Sequence, residues 1–180
     1  LIDARASSRT LFFRKKIMKK AKPVLLAVAF VSIALLAVAL YLQHVEDMLP
    51  CPLCVIQRYA FAGIAIICLL TAFGKEATAK IGAALAALVS VAGAGVAGWH
   101  MYIKANPTVS CGIDPLETSL NTIPTAKLLP FLFQADGLCT TEYAPILGLS
   151  LPQWALVWFV VIALFLLRTA LQKKSFHTSY

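Results

Sequence analysis

Leu-Pro-Cys-Pro-Leu-Cys-Val-Ile-Gln-Arg, residues 49–58, runs without a break into Tyr-Ala-Phe-Ala-Gly-Ile-Ala-Ile-Ile-Cys-Leu-Leu-Thr-Ala-Phe, residues 59–73. A pair of cysteines two residues apart and then an arginine thus stand at the mouth of an apolar run, 55–73. That run is about as long as the roughly 20 residues a helix needs to cross about 30 Å of hydrocarbon. A Cys-x-x-Cys pair can close into a disulfide, bind a metal or stay idle, and compartment, nearby charge and the other cysteines decide among these.

The rest of the 180-residue chain has the same character, with 60% hydrophobic and only 13% charged residues. Soluble domains carry about 45–50% apolar and about 25% charged residues. Three further apolar runs are long enough to span, 23–42, 81–102 and 151–170. The fold class expected is therefore an all-α membrane protein, a four-transmembrane-helix bundle with spans at about 23–42, 55–73, 81–102 and 151–170. Two connections, 43–54 and 103–150, lie on one side; the second is long and is expected to carry a short interfacial helix at 128–133. Gly82, Gly93, Ala94, Gly95 and Gly98 in the third run are small enough to let neighbouring helices approach closely.

Residues 1–17 are read as an N-terminal extension or appended segment upstream of Met18-Lys19-Lys20, or as a basic amphipathic piece on anionic lipid. Residues 18–170 form the membrane domain and 171–180 a tail. A cleaved signal peptide at the first run is disfavoured by its length, since such apolar cores span about 7–15 residues. The net charge of +8 does not point to nucleic acid, because eight of the sixteen basic residues lie at or before Lys22, beside the first span. Basic residues next to a span are orientation signals. The N-terminal segment, the turn with Lys75 and Lys80, and the C-terminal segment with Arg168, Lys173 and Lys174 are basic. These belong in the cytoplasm, so both termini are cytoplasmic and both cysteine-bearing connections face outward.

That topology brings Cys51, Cys54, Cys111 and Cys139 to one oxidising face, whereas Cys68 lies mid-span and packs as a small hydrophobe. Cys54 sits near the start of the second helix, where free amides and the helix dipole favour a thiolate. Arg58 follows four residues on, one turn deeper on about the same face. It either steadies a thiolate or a reduced anionic acceptor, or snorkels to the interface. His100, near the outer end of the third run, either serves a bound acceptor or faces water; His44 is expected to be solvent-exposed. A four-cysteine zinc site is disfavoured, because Cys111 and Cys139 are 28 positions apart and only Cys51 and Cys54 form a close pair. No metal is expected among the working parts. Inert structural disulfides on a non-catalytic binding or transport protein are the competing reading.

The run Pro50-Cys51-Pro52-Leu53-Cys54-Val55-Ile56-Gln57-Arg58, Gly98-Trp99-His100 before the long connection, the placement of Cys111 and Cys139, and Leu149-Ser150-Leu151-Pro152-Gln153-Trp154 entering the last span resemble the bacterial disulfide bond formation protein B (DsbB) family. The resemblance covers residues 18–170. It implies a thiol:quinone oxidoreductase of the bacterial inner membrane that reoxidises the periplasmic thioredoxin-fold oxidase DsbA. It further implies that Cys111, paired with Cys139, meets the partner, that Cys139 then attacks Cys51, and that Cys54 is left facing ubiquinone or menaquinone beside Arg58 and His100. DsbA is strongly oxidising, near about −120 mV, so a strongly oxidising quinone must drive the net reaction. Vitamin K epoxide reductase-like proteins also use four spans, Cys-x-x-Cys and quinone, but there the close pair opens the final helix.

Overall fold

The computed structural model of the protein describes residues 2–106 and 113–171. It is all-helical among the described residues: α1 (Ile2–Val45), α2 (Pro52–Ala72), α3 (Glu76–Ala105), α4 (Ile113–Thr122), α5 (Pro124–Leu128), α6 (Pro130–Phe133) and α7 (Leu151–Leu171). Among the described residues four segments are long and apolar enough to cross a membrane, Ala21–Val45, Pro52–Ala72, Glu76–Ala105 and Leu151–Leu171. The molecule is a multi-pass, four-span membrane protein, as expected.

The helix boundaries have local causes. α1 passes through Pro23 without ending, so the expected first span is part of a 44-residue helix. α2 starts at Pro52, earlier than the expected residue 55, because a proline in the first turn has no amide hydrogen to lose. Cys51 is its N-cap, and the Cys51 sulfur accepts the Cys54 amide. The turn after α2 closes through Gly74 N–H donating to Thr71 O at 3.2 Å. α3 then begins with Glu76 paired to Lys80 at 3.5 Å, one turn on. Its 30 residues rise about 45 Å, more than the hydrocarbon thickness, so its outer turns reach into the long connection.

α1 packs on α2, α2 on α3, and α3 on α7, whereas α1 and α7 meet more sparingly. The main core runs through all four spans, from Leu25 and Ala29 of α1 to Phe159 and Leu166 of α7, and Cys68 lies in it fully buried. Phe159 is fully buried in it. Its ring stacks on Phe61 at 4.1 Å, and its carbonyl accepts Ser90 Oγ at 2.7 Å. A Cβ on Gly93 would sit 2.5 Å from that ring. Gly82 is equally crowded by Thr71, but Gly95 and Gly98 face open space. Only the first pair therefore serves close helix approach, because small residues mark an interface only where they point at a neighbour.

The long connection is more structured than the sequence indicated. The expected interfacial helix at 128–133 is broken at Leu129, and Pro124 and Pro130 each open a short helix of their own. Leu128 and Phe131 stay exposed while Phe133 turns in and stacks on Tyr59 of α2 at 4.1 Å. α4 was not anticipated; its Leu116 and Leu120, one turn apart, pack toward Val55 of α2 and Phe133.

Gly93→Leu is expected to cost about 1–3 kcal/mol by overpacking against Phe159, lowering the thermal midpoint in detergent. Gly98→Leu is expected to change stability by no more than about 0.5 kcal/mol. Equal destabilisation by both would remove the α3–α7 contact from this account.

Candidate functional site

The site forms where the connection between α1 and α2 meets the long connection between α3 and α7. The Pro50 carbonyl accepts two amides of the long connection, Asp136 N–H and Gly137 N–H, each at 3.1 Å. Tyr143 Oη donates to Leu49 O at 3.3 Å. Gly137 lies against the Leu49 carbonyl so closely that a Cβ there would collide with it. The far side of this segment is clamped by Asn121, which donates to Ala135 O at 3.0 Å and accepts the Ala135 amide at 2.9 Å. With 135–137 held on both sides, Cys139 is delivered to the mouth of α2.

There Cys139 joins Cys51, Leu53 and Ile103 in one small buried cluster, with Cys54 packed against it. Cys139 is disulfide-bonded, whereas Cys51, Cys54 and Cys68 are free thiols. Cys111 lies outside the described residues. The Cys51 and Cys54 sulfurs are 2.9 Å apart, with Cys51 as donor, and the Cys54 amide donates to Cys51 Sγ at 3.3 Å. The hydrogen bond to Cys54, and then burial, push the Cys51 thiol well above the usual thiol range, so Cys51 holds its proton. A buried thiol that donates to its neighbour favours negative charge on that neighbour.

His100 is only 3% exposed, so it does not face water. Its Nε2 lies 3.7 Å from Cys51 Sγ and 3.3 Å from the Cys139 carbonyl, and its Nδ1 lies 4.0 Å from Cys54 Sγ. α3 thus places one imidazole against all three cysteines at the mouth of α2. His44 is exposed.

Arg58 is 7% exposed, and its guanidinium does not reach for the interface. Nη1 donates to Gln43 Oε1 at 2.6 Å and to Leu132 O at 3.0 Å, and Nη2 donates to Ala39 O at 3.3 Å. The charge is thereby tied to α1 and to the end of α6 from its place on α2. A buried arginine with several acceptors is held in position, whereas a snorkelling one would be solvated.

Arg58, Cys54 and His100 open onto a cavity of about 370 Å³ between α1 and α7, helices that meet more sparingly than α1 with α2 or α3 with α7. Its walls are mostly apolar, with Leu36 and Leu42 from α1, Phe61 from α2, and Trp154 and Trp158 from α7. Trp154 is oriented by donating Nε1–H to Ile146 O at 2.9 Å. One lining residue escaped sequence reasoning: Gln57 is 6% exposed, and its Nε2 is buried with no hydrogen-bond partner. Its spacing of three from Cys54, on one helix face, was the available signal.

The family model described as "Disulfide bond formation protein DsbB" matches residues 21–169. The chain is 83% identical over 158 residues to a disulfide bond formation protein B of Herminiimonas arsenicoxydans, covering 88% of this chain and all of that one. Namesakes from Cupriavidus necator and Ralstonia nicotianae are 50% and 46% identical, over 77% and 83% of this chain and 86% and 93% of theirs. With four spans and a cysteine-rich site at the mouth of α2 already in place, these matches make the chain a member of the disulfide bond formation protein B family, membrane oxidoreductases of disulfide bond formation.

Proposed function

We propose that the protein is a thiol:quinone oxidoreductase of the bacterial inner membrane, with both termini cytoplasmic, that reoxidises a periplasmic thioredoxin-fold oxidase of the DsbA type. The observation that carries this reading is the shared cluster of Cys139 with Cys51, beside a Cys54 that opens onto an apolar cavity. The basic segments at 14–22, at Lys75 and Lys80, and at Arg168–Lys174 support the orientation.

The relay runs by thiolate attack on sulfur. A thiolate of the reduced partner attacks Cys111 of the Cys111–Cys139 disulfide, forming a mixed disulfide and releasing Cys139 as a thiolate. Cys139 then attacks Cys51 of the Cys51–Cys54 disulfide, and Cys54 leaves as a thiolate. The contact of Cys139 with the Cys51 cluster supports that order, since attack needs the sulfurs at close range. His100, beside Cys51 and Cys54, is positioned to give or take a proton as these sulfurs change charge. The partner's second thiol then displaces Cys111 from the mixed disulfide, and Cys111 displaces Cys51 from Cys139, so the partner leaves as a disulfide, Cys111–Cys139 is restored, and the two electrons now held on Cys51 and Cys54 leave with two protons as that pair is reoxidised.

The cavity fits a quinone headgroup, ubiquinone or menaquinone, as their destination. Its volume lies within the roughly 300–1,000 Å³ usual for small-molecule sites. Its walls suit a flat apolar ring, and the unpartnered Gln57 Nε2 is a buried donor awaiting an acceptor such as a carbonyl oxygen. A quinone bound there supplies a two-electron sink. Arg58 supplies positive charge next to Cys54 without a conformational search, because its hydrogen bonds to α1 and α6 already fix it.

Cys51→Ser and Cys54→Ser are each expected to reduce quinone turnover with a reduced dithiol partner to background, followed by quinone absorbance under anaerobic conditions. Turnover retained in both variants would rule out the relay. Arg58→Ala is expected to raise the quinone KM by about tenfold or more, a loss of about 1.4 kcal/mol, with partner affinity unchanged. Arg58→Lys should not restore it, since a single ammonium cannot reproduce the fork that reaches three acceptors. For Gln57→Leu a several-fold rise in quinone KM is expected, with the thiol-exchange step unaltered in a stopped-flow assay lacking quinone.

A further inference from the structure

Cys51 Sγ, Cys54 Sγ and one His100 ring nitrogen all lie within 4.8 Å of one another. Two thiols and an imidazole are the ligand types that zinc and its softer congener cadmium select. We propose that the dithiol form of the protein binds one Zn²⁺ or Cd²⁺ through Cys51, Cys54 and His100, and that the bound cation holds the enzyme out of its redox cycle. The cation acts here as an inhibitor of the reduced state and takes no part in turnover.

The geometry is close to what such a site needs. With Zn–S near about 2.3 Å and Zn–N near about 2.05 Å, tetrahedral angles put sulfur about 3.6 Å from nitrogen and the two sulfurs about 3.8 Å apart. The Cys139 carbonyl, 3.3 Å from His100 Nε2, can only accept, so Nε2 carries the hydrogen and Nδ1, 4.0 Å from Cys54 Sγ, is the nitrogen free to ligate. The sulfurs, at 2.9 Å, must part by a little under 1 Å, a change that rotation of the half-buried Cys54 side chain toward the cavity supplies. Three protein ligands leave a fourth position open, and all three residues line the cavity, which supplies it. Binding exchanges two thiol protons for one dication, leaving the cluster neutral, and this suits a site where Cys51 and His100 are each 3% exposed.

Two features bear on selectivity for this trio. The four-cysteine arrangement weighed from the sequence is not available, because Cys139 is in a disulfide while Cys51 and Cys54 are free. Arg58, the nearby cation, is held toward Gln43, Ala39 and Leu132, to which its Nη1 and Nη2 donate. When Cys51 and Cys54 are joined in a disulfide neither sulfur is a thiolate, so affinity depends on redox state. The inference goes beyond the proposed catalysis, and binding is read without quinone or partner, so either can fail alone.

The test uses the full-length protein in detergent, reduced with dithiothreitol and freed of it anaerobically, then titrated with Cd²⁺ while the thiolate-to-cadmium absorption is followed. One equivalent is expected to bind. The band should be absent from untreated disulfide-form protein and from Cys54→Ser, and retained in the Cys111→Ser/Cys139→Ser double variant. His100→Ala should weaken binding at least tenfold. X-ray absorption of the Zn²⁺-loaded reduced wild-type protein, which needs no substitution, should show two sulfur ligands with the remainder nitrogen or oxygen. Zn²⁺ should slow steady-state turnover, with recovery on adding EDTA. A band that follows Cys111 and Cys139, His100→Ala binding within about twofold of wild type, a shell of four sulfurs or none, or turnover indifferent to Zn²⁺ would each overturn the proposal.

Discussion

A guanidinium buried near the end of a membrane span must find its acceptors inside the protein, and Arg58 finds them on two other elements. Gln43 and Ala39 tie it to α1, and the Leu132 carbonyl ties it to the long connection. One side chain on α2 therefore fixes how α1 leans on α2 and where α6 comes to rest. The stacking of Phe133 on Tyr59, one residue along α2, secures the same junction with apolar surface. The α1–α7 gap is left as a cavity beside this junction, so the charge that organises the outer end also borders the space a ligand would fill.

The second tie is made by backbone. Pro50 has no amide to give, but its carbonyl takes two from the long connection, and Gly137 permits an approach that any larger residue would block. Both connections are thereby held in register over the mouth of α2. Cys139 joins the buried cluster of Cys51, Leu53 and Ile103 because the chain on either side of it is anchored, by Asn121 before and by Tyr143 after. Proximity of sulfurs is the one thing thiol exchange needs that spacing along a chain cannot supply.

Beneath the outer site the bundle is an apolar core closed by small residues where helices cross, with Gly93 under the Phe159 ring and Gly82 against Thr71. In lipid, where apolar surface has no aversion to its surroundings, such close fit is a main source of helix association. The packing of α2 on α3 and of α3 on α7 brings Cys54, His100 and Trp154 to one cavity, on the side where α1 and α7 meet more sparingly.

The sequence by itself determined the class of fold, because four runs of apolar residues long enough to span leave no soluble alternative, and basic residues flanking them imply an orientation. It also singled out Cys51, Cys54, Arg58 and His100 as candidates near the ends of two spans, with snorkelling still open for Arg58 and a water-facing place for His100. What it left open were contacts. The snorkelling and buried positions of Arg58 share one sequence and differ only in whether Gln43 and Leu132 are within reach. The same holds for His100, which meets Cys51 through the α2–α3 packing angle, and for Gln57, whose unpartnered amide is visible only once the cavity exists. Gly95 and Gly98 were indistinguishable from Gly82 and Gly93 along the chain, and only the neighbours present at each position separate them. Tertiary structure decided all of these, because each depends on residues dozens of positions apart converging at one point, and hydrophobic periodicity records which residues are buried without recording against what.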